Sequence, residues 1–135
     1  MANSGKHLFT FAVIADSHMT EADAAAKAAV DIAFDPDRQE LGNARSRYVV
    51  NEINRLAPEF TVHLGDITHP GPGSVEYDDS ARQFHDVYEG LTCPLHLVPG
   101  NHDVGEKFFP AVPGGQSAYY IVTDETIASY ERTFQ

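Results

Sequence analysis

The sequence predicts an α/β protein with a mostly parallel sheet and flanking helices. Three observations predict it. Residues 8–15, 60–64 and 95–98 are short apolar runs patterned as buried strands. Stretches with helical spacing lie between them, and strands alternating with helices build parallel sheets from βαβ units. Each apolar run also stops at a polar or glycine-containing turn, so three such turns fall at the carboxyl ends of strands, where ligands sit in open α/β sheets.

Residues 8–15 (LFTFAVIA) are rich in β-branched and aromatic side chains and end almost continuously apolar, the pattern of a strand buried on both faces. Asp16-Ser17-His18 ends it. Thr20 can cap a helix, with Glu21 and Asp23 where the positive end of the helix dipole favours carboxylates. The alanine-rich segment 24–33 continues as helix by propensity. Asp35 and Pro36 then mark a loop, and the charged stretch 35–42 either edges the site or is a solvated insertion. Asn43 can cap a second helix running to about Ala57, with Val49, Ile53, Leu56 and Ala57 on one face and Pro58 closing it. After the second strand and Gly65-Asp66, a third helix is expected from about Ser80 to Glu89. Phe84, Val87 and Tyr88 would point inward, with Gly90 terminating it. The third strand ends at Gly100-Asn101-His102-Asp103. Pro110, Pro113, Gly114 and Gly115 make 108–117 a loop, and 124–134 reads as a final short helix.

The 135 residues suffice for one domain, spanning 1–135, and hydrophobic residues at 42% exclude global disorder. A net charge of -11 with only 9 basic residues, none in a run, speaks against a nucleic-acid partner. Some of that negative charge can serve divalent cations. Cys93 stands alone and forms no internal disulfide. The N-terminus lacks the apolar core and cleavage site of a secretory signal. No apolar stretch reaches the roughly 20 residues of a membrane span. The expectation is a soluble cytoplasmic protein with no membrane partner.

The three turns carry the chemistry. Carboxylate, imidazole and amide oxygen or nitrogen are the ligand set of Mn, Fe, Mg or Zn. In Asp16-x-His18 the two side chains point the same way if the backbone stays extended, and could chelate one ion. Asp66 has two oxygens and can bridge two ions, while Asn101 can bind a second ion without adding charge. Two ions roughly 3.5–4 Å apart suit in-line displacement at phosphorus. His102, beside a ligand, could give a proton to a leaving alkoxide.

FAVIADSH, VHLGDITH and LVPGNHD, in this order after three strands, resemble the signature of the calcineurin-like metallophosphoesterases. The resemblance implies the N-terminal half of a four-layer α/β/β/α sandwich. It also implies hydrolysis of phosphomonoesters or phosphodiesters by metal-bound hydroxide at a dinuclear centre. Asp16, His18, Asp66 and Asn101 would be metal ligands, His102 the catalytic or substrate-contacting histidine, and Asp103 a supporting group or helix cap. The substrate would be a phosphate-ester small molecule or a phosphoprotein.

Two departures qualify the resemblance. The family's later ligands are an isolated histidine and a G-H-x-H pair, and no histidine follows His102 here. The chain is therefore expected to be truncated, its sheet exposed, and to form a homo-oligomer or need a missing C-terminal half. A non-catalytic metal-binding or regulatory fragment is the alternative. His69 stands where many members carry an acidic residue or asparagine that orients the catalytic histidine. Histidine there also occurs in branches that cut DNA or small phosphodiesters, so a repair-type nuclease is a second alternative. His63, His85 and His96 read as core or surface histidines and His7 as inert. Tyr119 and Tyr120 read as packing residues.

Overall fold

The computed structural model describes residues 8–20, 42–105, 107–109 and 118–135. The expected helix over 24–33, residues 35–41 of the expected loop and His7 lie outside them, while Gly42, the last residue of that loop, is helical instead. Strands β1 (Phe11–Ile14), β2 (Phe60–His63) and β3 (Leu95–Leu97) form one parallel sheet in the order β1-β2-β3. Phe11 pairs with Phe60, Ile14 with His63, and His63 with Leu97. Helix α1 (Gly42–Leu56) connects β1 to β2 in the described chain, and α2 (Tyr77–Tyr88) connects β2 to β3. The expected parallel α/β layout is present.

The turn α3 (Asn101–Val104) follows β3. Strands β4 (Lys107–Phe109) and β5 (Ala118–Tyr120) then pair antiparallel, so the expected loop begins later than residue 108. Helix α4 (Asp124–Phe134) matches the expected final helix. Thr123 caps it, its hydroxyl accepting the Thr126 N–H at 3.2 Å.

Alternation along the strands decides which face packs. Ala12, Ile14, Thr61, His63, Leu95 and Leu97 share the parity of the covered face. Ile14, Leu95 and Leu97 pack against a core of Met19, Val50, Ile67, Phe84, Val87, Tyr88 and Phe134. Val50 comes from α1, Phe84 and Tyr88 from α2, Phe134 from α4. Phe11 and Val13, on the opposite parity, remain 49% and 52% exposed. The expectation that β1 is buried on both faces is thus corrected: among the described residues the core lies on one face of the sheet only. Phe11 stacks on Phe60 across the open face at 5.3 Å.

Two details of the helices also differ from expectation. The buried stripe of α1 is Gly42, Ser46, Val50 and Ile53, whereas Leu56 is 63% exposed and Ala57 turns left-handed at φ 49°. Asn43 lies inside the first turn rather than capping it. Its amide brackets the backbone of Thr20, accepting the N–H at 3.1 Å and donating to the carbonyl at 3.0 Å. Helix α2 starts three residues early, at Tyr77, with Phe84, Val87 and Tyr88 buried as expected. No described helix is long and apolar enough to cross a membrane.

Candidate metal centre

The loops after β1 and β2 continue the parallel pairing beyond the strands. The N–H groups of Asp16, His18 and Met19 donate to the carbonyls of Gly65, Asp66 and Ile67 at 2.9, 3.0 and 2.8 Å. The His69 N–H returns to the Met19 carbonyl at 2.8 Å. The loop after β3 crowds against them. A Cβ on Gly65 would overlap the backbone of Gly100, and one on Gly100 would overlap the Asp66 backbone and carboxylate. Gly65 also has φ +98°, so both packing and conformation call for glycine there.

Asp16, His18 and Asp66 all adopt left-handed backbone, at φ 55°, 43° and 52°. Such conformations are costly for non-glycine residues and concentrate at functional sites. They correct the extended-backbone expectation for Asp16-x-His18. The two side chains do converge, because the left-handed turns bend the loop over the strand ends. His18 Nε2 lies 3.8 Å from Asp16 Oδ1 and 3.8 Å from Asp66 Oδ2. That is too long for a hydrogen bond. It fits two atoms sharing an ion, since ligands about 2.1 Å from one ion are at most about 4.2 Å apart.

Each of Asp16, His18 and Asp66 offers a ligand atom within 4.8 Å of the others. A second group, His18, His69 and His102, meets the same limit. The ring centroids of His18 and His102 are 4.6 Å apart and those of His69 and His102 are 5.5 Å apart. Two carboxylates and one imidazole suit Mn, Fe or Zn, whereas three imidazoles lean toward Zn or its neighbours. The residues present therefore fit a divalent ion. Asn101, the first residue of α3, is exposed beside this cluster in sequence.

His102 is held at two points. Its N–H donates to Asp66 Oδ1 at 3.0 Å, and its Nδ1 lies 2.9 Å from the His69 carbonyl. A carbonyl only accepts, so Nδ1 carries the proton, and in the neutral ring Nε2 carries none. Asp103 is fully buried. Its Oδ1 accepts the N–H groups of Ile67 at 2.8 Å and Thr68 at 3.3 Å, while Oδ2 accepts the Gly100 N–H at 2.8 Å. It ties the β2 and β3 loops together. Burial raises its pKa against the lowering effect of those three hydrogen bonds.

His63 and Ser17 carry more than their sequence context suggests. His63, fully buried on the covered face, bonds to Ser17 and to the Gly65 N–H. The parity of His63 with the covered face, two residues before Gly65, is the signal that could have found it. His85 sits 2.8 Å from the Thr133 carbonyl and His96 is exposed beside Phe60, neither near the cluster. Cys93 Sγ is 3.3 Å from Thr61 Oγ1.

The profile of the calcineurin-like phosphoesterases matches residues 9–133. The chain belongs to that family. Within it, a probable cyclic nucleotide phosphodiesterase of Rhodopseudomonas palustris is 40% identical over 75 residues, covering 52% of this chain and 26% of that protein. The serine/threonine-protein phosphatase CPPED1 of Bos taurus is 35% identical over 91 residues, 63% of this chain and 24% of that protein. CPPED1 of Danio rerio is 35% identical over 69 residues, 48% and 22% respectively. The match thus spans about a quarter of the length of these curated relatives. As in other calcineurin-like phosphoesterases, divalent metal ions are the implied cofactor.

Proposed function

We propose that this chain supplies the ligands and the proton donor of a phosphoesterase centre that hydrolyses phosphomonoesters or phosphodiesters. The observation that carries the reading is His18 Nε2 lying 3.8 Å from carboxylate oxygens of both Asp16 and Asp66. Asp16 and His18 would hold one ion, Asp66 would lie between two, and Asn101 would hold the second. When bound, the ions would neutralise phosphoryl oxygens and lower the pKa of the attacking water.

The chain's own residues supply position and a proton. The His69 carbonyl holds His102 Nδ1, so Nε2 is the atom that, when protonated, hands its proton to the leaving alkoxide. The Asp66 carboxylate receives the His102 N–H and so ties that histidine to a ligand. The relatives' names cover a cyclic phosphodiester and phosphoprotein chemistry, and both remain within the proposed substrate class. A cytoplasmic setting belongs to the same proposal. The charge of -11 disfavours the nuclease alternative.

A second reading has its own support in the three-imidazole group of His18, His69 and His102. There His102 would be a ligand rather than an acid, and the centre would bind an ion without turnover. Hydrolysis of p-nitrophenyl phosphate and bis-p-nitrophenyl phosphate with added Mn²⁺ separates the two. Metal-dependent turnover that collapses in Asp66→Asn and His102→Ala supports the phosphoesterase centre. Turnover that survives Asp66→Asn, or needs no metal, overturns it. Metal binding without turnover, lost in His69→Ala, selects the imidazole site.

A further inference from the structure

We infer that His63 and Ser17 are a positioning pair that locks the two ligand-bearing loops, after β1 and β2, into one geometry. The inference deepens the metal-centre reading above and rests on it for its functional meaning.

The direction of every hydrogen bond in the pair is forced. The Gly65 N–H can only donate, and it points to His63 Nδ1 at 3.1 Å. Nδ1 is therefore bare, so the neutral ring carries its proton on Nε2. That proton reaches Ser17 Oγ at 3.0 Å. The Ser17 hydroxyl then donates to the Ile67 carbonyl at 2.9 Å. Gly65 precedes Asp66, Ile67 follows it, and Ser17 separates Asp16 from His18. One imidazole and one hydroxyl thus clamp the neighbours of three candidate ligands while touching none of the ligand atoms.

The clamp sits where strain needs support. Asp16, His18 and Asp66 are left-handed, and such residues persist only when the surroundings over-determine them. The rings of Phe84 and Tyr88 pack edge-on to His63, each 5.8 Å between centroids. Burial raises the Tyr88 pKa, and the nearby Ser46 and Ser17 side chains oppose the rise. Burial lowers the His63 pKa to about 4, which keeps the ring in the neutral form that the chain of bonds requires. An apolar residue, the usual occupant of an inward strand position, could pack there but could not reach Ser17 or Gly65.

The test uses the full chain, first without metal and then with Mn²⁺ alone. In Ser17→Ala and His63→Leu, amide hydrogen exchange at Asp16, His18 and Met19 should quicken at least tenfold while amides within α2 stay unchanged. Mn²⁺ affinity measured by calorimetry should fall about 10- to 100-fold, the usual effect of removing a group that orients ligands. Ser17→Thr, which keeps the hydroxyl, should restore both readouts to within about threefold of the parent. Loop exchange and Mn²⁺ affinity within twofold of the parent in both variants would overturn the inference. So would faster exchange spread equally through α2, which signals general loss of stability. If the parent binds no Mn²⁺ yet its loop amides respond as stated and Ser17→Thr rescues them, the clamp stands and the metal-centre reading fails.

Discussion

Asp66 Oδ1 accepts the backbone N–H of His102 at 3.0 Å, which leaves Oδ2 turned toward His18. One oxygen therefore fastens the β2 loop to the β3 loop, and the other faces the cluster of candidate ligands. The division of labour lets charge and architecture be separated by mutation.

Asp66→Asn should keep the architecture and lose the ion. The amide oxygen still accepts the His102 N–H, but the negative charge opposite His18 is gone. Mn²⁺ affinity should drop more than tenfold by calorimetry, with a melting temperature within a few degrees of the parent. Undiminished affinity would remove Asp66 from the ligand set.

Gly65→Ala and Gly73→Ala form a matched pair. Both glycines have positive φ, +98° and +90°, but only the Cβ at Gly65 would meet backbone, that of Gly100. Gly73→Ala should cost about 1 kcal/mol, the left-handed penalty alone. Gly65→Ala should exceed about 2 kcal/mol in urea unfolding, because steric overlap is added to a strained conformation. Equal losses would mean that the loops can part without penalty.

The neutral state of His63 predicts an acid-sensitive component of stability. Its pKa falls from 6.5 to about 4 on folding, mainly because burial disfavours the cation. The unfolded chain therefore binds the proton first. The stability tied to neutral His63 is complete above pH 6.5 and is lost as the pH falls toward and through about 4. The shift corresponds to about 3 kcal/mol. Unfolding of the metal-free chain at pH 7 and pH 4.5 should show this loss in the parent and lack it in His63→Gln. The same pH dependence in both proteins would refute it.

The open sheet face predicts association. Phe11, Val13 and Phe60 present apolar surface on the side of the sheet opposite the core, and contiguous patches of this kind favour self-association. Sedimentation at micromolar concentration should give a mass above that of one chain, and Phe11→Lys with Val13→Thr should shift it toward the monomer. A monodisperse monomer for the parent would contradict the prediction.

The sequence by itself determined the alternating α/β order, the inward residues of α2, the span of α4 and the three turns that hold the candidate ligands. These are local properties. Alternation sets strand faces, helical spacing sets stripes, and each turn follows its own strand by one or two residues. The tertiary structure alone decided how those turns meet. Asp16 and His18 converge through left-handed backbone rather than an extended one, because their loop pairs with residues 65–67, about 50 positions away. His69 joins His18 and His102, and His63 reaches Ser17, only because β1 and β3 both neighbour β2 in the sheet. The stripe of α1 moved to Ser46 and Val50 for the same reason. Which strands become neighbours is settled by burial summed over the whole chain, and no short window of sequence contains that sum.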